Sequence, residues 1–200
     1  MSEGFTTWLK KDLLNFVHGC ELYGRDDLPG VATEVEGKTE KEVGRYACTF
    51  FKRYDEIKEG ERLMRRIREG ESRLARKSEL DAAIAKKLST LANPWLQLRI
   101  DWGGPRPRSW FTEECDRYLV CLAHSVGYGR WEDLVREVRR SWLFKFDWFM
   151  KTRVPHELGE RVEMLAELIE KQVLKESKAG KARAGSKRPL EEAASSSRKK

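Results

Sequence analysis

The sequence has 200 residues, which is enough for one large domain or two small ones. Charged residues make up 36% of it, well above the roughly 25% of an average globular chain. Seven Trp, eight Phe and five Tyr argue against wholesale disorder, because disordered chains are poor in aromatic residues. The sequence contains no run of 18 apolar residues and no apolar signal-peptide core, so we expect neither a membrane span nor secretion.

The formal net charge of +7 is unevenly distributed along the chain. Residues 61–109 carry 12 basic and 6 acidic side chains, and residues 175–200 carry 9 and 3. The blocks 1–60 and 110–174 have balances of −3 and −2. Clusters of Lys and Arg gain affinity for polyanions by releasing condensed counterions, so a polyanionic partner is expected.

Residue types that carry out catalysis or bind metals do not form a recognisable site. The four cysteines, Cys20, Cys48, Cys115 and Cys121, include no CxxC pair, so the sequence predicts buried, reduced thiols rather than a zinc framework. No nucleophile–base set, no carboxylate pair in an evident cleft and no GxxxxGK[ST] phosphate loop is present. We therefore expect no catalytic residue, no metal, no cofactor and no ATPase motor in this sequence.

Helix signals dominate the first sixty residues. Thr6 or Thr7 is expected to cap a first helix, whose apolar stripe runs from Leu9 to Cys20. Asp26 or Asp27 is expected to cap a short second helix, and a capping box at residues 39–42 predicts the start of a third. A highly charged helix is then predicted over residues 61–92. An apolar patch follows at residues 95–102, and it must pack on something.

The pattern of the first block recurs near residue 110. Phe5 and Thr6 resemble Phe111 and Thr112 at a separation of 106 residues, and the YGR sequence at 23–25 recurs at 128–130. The second block is predicted to contain a helix over residues 130–141, a third helix from about Phe146, and a further helix from Pro155 to about Lys175. From about Ser177 the composition indicates a disordered tail, with a basic run that fits either a nuclear-import signal or a solubilising segment (Lys181, Arg183, Lys187, Arg188).

Two three-helix units with aromatic cores and a basic connecting helix describe a tandem Myb-like architecture. The sequences YGRDD at 23–27 and EGKT at 36–39 resemble the SANT domain of imitation-switch (ISWI) chromatin remodellers. Residues 68–73 resemble the spacer helix of that family, and ECDRY at 114–118 and FDWFMKTR at 146–153 resemble its SLIDE domain. The resemblance extends from about Phe5 to Lys175, and the FDWF stretch is highly specific within it.

This resemblance implies an all-α fold in which two Myb-like three-helix domains, SANT and SLIDE, are joined by a long spacer helix and followed by a disordered basic tail. The expected boundaries are 1–60 for the SANT-like domain, 61–109 for the spacer and loop, 110–176 for the SLIDE-like domain and 177–200 for the tail. In the family this region follows an ATPase motor and a HAND domain, which this sequence lacks. The family binds extranucleosomal linker DNA in the nucleus and spaces nucleosomes.

A basic stretch in the second block is the predicted DNA-binding surface. Only Glu137 and Asp147 interrupt it, and no Asn or Gln is present to read adenine edges, so we expect contact with phosphates without base recognition. The predicted DNA-binding residues are Arg136, Arg139, Arg140, Lys145, Lys151, Arg153 and Arg161. A secondary basic surface is predicted from Arg73, Arg76, Lys77, Arg106 and Arg108.

An alternative function is an interaction scaffold in which contact with DNA is incidental. The acidic first block and an exposed patch at residues 95–102 would then dock a histone tail or a remodeller accessory subunit. A sequence-specific Myb transcription factor is a third hypothesis, and the wide separation of the two repeats disfavours it. Trp8, Trp148 and Phe149 are predicted to be core residues, so Trp148→Ala is expected to unfold the second block.

Overall fold

A computed structural model describes residues 7–185, with side chains described through residue 179. Within this range all regular structure is helical, which confirms the predicted fold class. The chain divides into two compact units, residues 1–78 and 79–200, which are described separately below as unit 1 and unit 2. No helix among the described residues is both long and apolar enough to cross a membrane.

Unit 1 is built from three helices and the first part of a fourth. Its helices are α1 (Lys10–Tyr23), α2 (Leu28–Glu34) and α3 (Glu40–Arg53), and the 30-residue α4 (Gly60–Ser89) begins within it. The core contains Phe16 and Val17 from α1, Val31 from α2, Val43 and Phe50 from α3, and Leu63, Met64 and Ile67 from α4. Trp8 stacks on Tyr46 at 3.7 Å between ring centroids, so it packs at the edge of this core as predicted.

Local capping explains where these helices begin. The Asp27 carboxylate accepts a hydrogen bond from Gly30 N at 3.0 Å, and Thr39 and Glu42 form the predicted capping box. The predicted Thr cap of α1 is wrong. The helix begins after Leu9, whose backbone N donates to the Asp12 carboxylate at 2.9 Å. Asp12 thus fills the N3 half of a capping box, while Leu9 at the N-cap has no side-chain acceptor.

Three ion pairs attach α4 to α1 and to the turn that follows α1. Arg25 donates through two nitrogens to the Glu71 carboxylate, and Arg66 and Arg73 both donate to Glu21. Hydrogen bonds from the arginines are the main reason that the pKa values of Glu21 and Glu71 lie below their usual range. Glu71 is about three-quarters buried at its side chain, so this pair is less screened than a fully exposed one.

The lowered pKa of Glu71 gives a testable dependence of stability on pH. Its carboxylate stabilises the fold above its ordinary pKa of 4.5, and this contribution is lost as pH falls through the lower folded-state pKa. Glu71→Gln should therefore lower the melting temperature at pH 7, and the difference from wild type should shrink as pH falls below about 4.5. Thermal unfolding followed by circular dichroism between pH 7 and pH 3 measures this difference.

Glu36→Gln is the matched control, because Glu36 is exposed and pairs with the equally exposed Lys11. Exposed pairs contribute little to stability, so this substitution should leave the melting temperature nearly unchanged at every pH. A difference for Glu71→Gln that stays constant down to pH 3 would show that the Glu71 charge is not the cause.

Unit 2 has a three-helix core made of α6 (Glu113–Val126), α7 (Trp131–Arg140) and α9 (Pro155–Gly185). Two helices of four residues accompany it, α5 (Pro94–Gln97) and α8 (Trp148–Lys151). The prediction that the third helix of the bundle begins near Phe146 is wrong. Only the single turn α8 forms there, and the third core helix is α9, which brings Leu158, Val162, Leu165 and Ile169 into the core.

The internal repeat predicted from the sequence is visible in the backbone. Gly24 and Gly129, the central residues of the two YGR sequences, both have a φ of +88°. This region of φ is open to glycine and strained for other residues, which explains why glycine occurs at both positions. Phe5 and Thr6, which opened the first copy of the pattern, lie outside the described residues.

The apolar patch at residues 95–102 packs on the core of unit 2, which confirms that it must pack on something; the exposure that the scaffold alternative requires is wrong. Leu98 is buried, and Trp95, Ile100 and Trp102 pack against the core. Arg117 on α6 donates a hydrogen bond to the Leu98 carbonyl at 3.1 Å, which fixes the segment to that helix. Leu96 is the member of this patch that remains largely exposed.

Two further predictions need correction. Helix α9 continues to Gly185, so residues 177–185, which the composition assigned to a disordered tail, extend the helix. The basic run that ends at Arg188 lies outside the part of the chain whose side chains are described. Among the cysteines, Cys20, Cys115 and Cys121 are buried as predicted, but Cys48 is exposed on α3.

Candidate nucleic-acid interface

The segment that runs from the second half of α7 through α8 carries most of the predicted DNA-binding residues. Its backbone is held by two buried side chains, Phe144 and Met150, which are 1% and 0% exposed. The Ser141 hydroxyl accepts a hydrogen bond from Leu143 N, and Asp147 accepts one from Met150 N at 2.9 Å. These anchors hold residues 139–151 on the surface in one conformation, and we call this stretch the basic–aromatic segment.

Three arginines of α7 point into solvent. The side chains of Arg136 and Arg140 are 63% and 73% exposed, and each pairs with an acidic residue of its own helix, Asp133 and Glu137 respectively. Arg139 is also exposed, and its Nε donates to the Lys151 carbonyl at 3.3 Å. The last contact brings the end of α7 beside α8, so the cations of the two helices are neighbours.

Two lysines extend the same surface. Lys145 is exposed, and Lys151 donates through Nζ to the Lys145 carbonyl at 3.3 Å. The structure therefore brings Arg139, Lys145 and Lys151 together, as the sequence predicted, with Arg136 and Arg140 on the adjoining helix.

Arg153 lies at the edge of this surface in a more constrained position. Its guanidinium lies 4.5 Å from the centroid of the Phe149 ring and pairs with Glu157 at 2.7 Å. The side chain is 26% exposed. The Glu157 carboxylate already pairs with the Arg153 charge. Arg153 is therefore a weaker candidate for phosphate contact than Lys145 or Lys151.

Arg161 lies in the interior of unit 2, away from the predicted surface. It donates through Nε and an Nη to the two oxygens of Asp116 at 2.8 and 2.7 Å, and its side chain is 11% exposed. Asp116 is the buried charged residue of the described chain. Arg106, assigned by the sequence to the secondary basic surface, donates to the same carboxylate and to the Phe111 carbonyl. Both arginines therefore fit a structural role better than a role in binding DNA.

Aromatic rings enclose this buried charge cluster, which we call the Asp116 cluster and define as Arg106, Asp116 and Arg161. The Arg161 guanidinium lies 4.7 Å from the Phe111 ring centroid and 5.3 Å from that of Trp102. Arg106 lies 5.5 Å from the same Trp102 ring. The cluster thereby attaches the loop before α6 to both α6 and α9.

The remaining members of the secondary basic surface belong to different units. Arg108 is exposed in the loop of unit 2. Arg73, Arg76 and Lys77 belong to unit 1, where Arg73 pairs with Glu21.

The structure reveals an exposed aromatic group that the sequence reasoning assigned to the core. Trp148 is 78% exposed, so the prediction that it is a core residue is wrong, and so is the expectation that Trp148→Ala unfolds the block. Trp142 and Phe146 are 81% and 86% exposed. With Leu143, Lys145 and Asp147 these rings line a shallow groove of about 880 Å³. The one indication of this exposed group in the sequence was the high density of aromatic residues among Lys and Arg.

The outward face of the first half of α9 has the opposite charge. Glu160, Glu163 and Glu167 are exposed along it. In many Myb repeats the third helix enters the major groove of DNA, where these carboxylates would be repelled by phosphates. Among the described residues no group of His, Cys, Asp and Glu is arranged to hold a metal ion.

Comparison with known proteins identifies the family. The SLIDE family model matches residues 61–173. The ISWI chromatin-remodeling complex ATPase CHR11 of Arabidopsis thaliana is 44% identical over 98% of this chain, which covers 20% of that relative. A probable chromatin-remodeling complex ATPase chain of Oryza sativa subsp. japonica is 45% identical over 86% of this chain and 15% of its own length.

A human protein, the SWI/SNF-related matrix-associated actin-dependent regulator of chromatin subfamily A member 1, is 39% identical over 86% of this chain and 17% of its own length. The chain thus spans about a fifth or less of the length of the curated relatives it matches. The family model covers more than half of the chain, from the start of α4 into α9. The chain therefore belongs to the SLIDE family and is related to the SLIDE region of ISWI-type chromatin remodellers.

Proposed function

We propose that this chain is a nonspecific binding module for linker DNA and nucleosomes, which acts in the nucleus as part of an ATP-dependent chromatin remodeller and supports nucleosome sliding and spacing. The relatives are named as ATPases of chromatin-remodelling complexes, and this chain matches only a small part of each. The observation that carries the proposal is a group of five cations on α7 and the basic–aromatic segment, of which Arg136, Arg139, Arg140 and Lys145 are exposed and Lys151 is partly exposed.

These residues suit contact with the phosphate backbone rather than with bases. Their side chains project from a short helix, a 3₁₀ turn and a single helical turn. No Asn or Gln lies among them to bind adenine in a bidentate manner. Phosphate contacts fix the position of a protein on DNA without reading sequence, which is what a protein acting on any nucleosome requires.

The charge pattern of unit 2 also limits how DNA can approach. The acidic face of α9 disfavours the docking geometry of a Myb recognition helix. A duplex lying along the basic–aromatic segment avoids that face. This arrangement further disfavours a sequence-specific Myb transcription factor.

A salt-titrated mobility shift with nucleosome cores, with and without linker DNA, tests the proposal. Binding should favour particles that carry linker DNA. If all five cations contact phosphates, the logarithm of affinity should fall with the logarithm of salt at a slope of about −4 to −5. Equal and salt-insensitive binding to both particles, or no binding, would contradict the proposal and direct attention to histone peptides.

Removing two of the clustered cations should weaken binding in a measurable way. Lys145→Gln with Lys151→Gln should make the salt slope shallower by about 2, because two fewer counterions are released. Affinity at low salt should fall for every DNA sequence tested, since phosphate contacts carry no sequence information. Fluorescence anisotropy of a labelled duplex at four or more salt concentrations gives the slope.

Lys171→Gln is the matched control, because Lys171 is an exposed lysine of α9 outside the proposed surface. It should leave the slope unchanged. A double variant that binds with wild-type affinity and slope, while keeping its circular dichroism spectrum, would remove Lys145 and Lys151 from the proposed surface.

In unit 2, the interaction-scaffold alternative depended on an exposed apolar patch. The patch at residues 95–102 packs against the core, so most of it is not available to a partner. Binding of histone tails or of remodeller accessory subunits is an outcome that the nucleosome experiment can reveal, and we do not propose it as a second function.

A further inference from the structure

The exposed rings of Trp142, Phe146 and Trp148 are not needed for the core of unit 2. Each is more than three-quarters exposed, while the core-facing positions of the same segment are occupied by Phe144 and Met150. Phe144 packs edge-to-face on Tyr118 at 6.0 Å between ring centroids. The segment is therefore anchored by other residues, and the three large rings face solvent without contributing to that anchoring.

A cluster of large exposed apolar side chains around a groove is characteristic of a binding surface. The groove is open, and Lys145 lies among its lining residues with Nζ 5.3 Å from the Phe146 ring centroid. The carboxylate of Asp147, the acidic residue of the lining, accepts hydrogen bonds from two other groups of unit 2. It caps α8 through Met150 N and accepts from the Cys115 thiol. Along the segment that lines the groove, the four cations Arg139, Arg140, Lys145 and Lys151 outnumber the single acid, Asp147.

We propose that Trp142, Phe146 and Trp148 form an apolar contact surface for double-stranded DNA, acting on sugar edges and on base steps that have opened. This inference rests on the proposed function. DNA places apolar deoxyribose directly beside each phosphate, so a phosphate held by Lys145 brings a sugar against the neighbouring ring. Other DNA-binding proteins insert apolar wedges between base steps and kink the duplex toward the major groove.

DNA is favoured as the occupant because the rings and the cations share one segment. Trp142, Phe146 and Trp148 alternate along residues 139–151 with Arg139, Arg140, Lys145 and Lys151. A duplex whose phosphate is bound by Lys145 lies beside the rings, because Lys145 lines the same groove. An acidic peptide would satisfy the same charges, and the experiment below separates it from DNA.

The proposal predicts a preference for duplexes that open easily. A wedge must separate stacked bases, and a mismatched step has already lost part of that stacking energy. The full chain should therefore bind a duplex with a central two-base mismatch several-fold more tightly than the perfectly paired duplex. The salt slope should be the same for both, because the number of phosphate contacts does not change.

Trp142→Ala with Trp148→Ala tests the role of the rings by fluorescence anisotropy on both duplexes. The double variant should bind the mismatched duplex roughly tenfold more weakly, within the range for removing aromatic–base contacts. It should lose the preference for the mismatch and keep the wild-type salt slope. Lys145→Gln with Lys151→Gln should do the opposite, with a shallower slope and a retained preference.

Leu96→Ala is the matched control, since Leu96 is 65% exposed on unit 2 outside the segment. It should change neither affinity nor preference. Unchanged affinity and preference in the tryptophan double variant, with salt-dependent binding intact, would overturn this inference alone and assign the groove to a protein partner. Absence of salt-dependent DNA binding by the wild-type chain would overturn the proposed function together with this inference.

Discussion

Asp116→Ala is expected to destabilise unit 2 by about 3–5 kcal/mol, because it removes one partner of a buried ion pair and leaves the other uncompensated. The Asp116 side chain is 2% exposed and accepts from both Arg106 and Arg161. Arg161 is 11% exposed, so its guanidinium cannot regain full hydration without moving out of the core. Urea unfolding of the full chain, followed by circular dichroism, measures the loss.

The neighbouring Glu113 provides the control for this prediction. It lies on the same helix, is 59% exposed and reaches Arg117 only at 3.9 Å. Exposed pairs of this kind contribute about 0–1 kcal/mol, so Glu113→Ala should be nearly neutral. If Asp116→Ala cost no more than Glu113→Ala, the Asp116 cluster would not hold the loop before α6 to the three-helix core.

The helical elements could be predicted from the sequence because their signals are local. Thr39 and Glu42 are three residues apart and cap α3 as predicted, and the apolar periodicity located α7. The start of α1 was missed because the N-cap residue is Leu9, whose side chain cannot cap a helix, and only the N3 carboxylate of Asp12 marks the start. The extension of α9 to Gly185 was missed because a polar composition does not by itself stop a helix that has already begun.

In the candidate site, too, the arrangement of residues close in sequence could be predicted, and contacts between distant residues could not. Arg139, Lys145 and Lys151 are close in sequence, and their clustering was predicted. Arg161 pairs with an acid 45 residues away, a contact that neither periodicity nor composition reveals. A basic residue looks alike in the sequence whether it faces a phosphate or a buried carboxylate.

Hydrophobic periodicity could not predict which aromatic residues of the basic–aromatic segment are buried. Phe144, Phe146, Trp148 and Phe149 all lie within six positions, and an apolar pattern cannot say which of them turn inward. The chain leaves regular helix between α7 and α8, so the 3.6-residue rhythm does not apply there. The 3₁₀ turn at Trp142–Phe144 and the cap at Asp147 decide the directions, and they place Phe144 inside and Trp148 outside.

The buried position of Phe144 predicts a large loss of stability when its ring is removed. Phe144→Ala should destabilise unit 2 by about 3–5 kcal/mol, as is usual when a buried phenylalanine is truncated and leaves a cavity. Phe144 is 1% exposed and packs on Tyr118, so the surrounding core cannot simply collapse into the space. Trp148→Ala should change stability by less than about 0.5 kcal/mol, since it removes a ring that is already in solvent.

The two substitutions together separate folding from binding on the same thirteen-residue segment. Urea unfolding should give a much lower midpoint for Phe144→Ala, with little change for Trp148→Ala. Anisotropy on the mismatched duplex should respond to Trp148→Ala although the protein remains fully folded. If Trp148→Ala were the more destabilising of the two, the ring would pack against the protein in solution, and neither the exposed groove nor the contact with DNA proposed for it would stand.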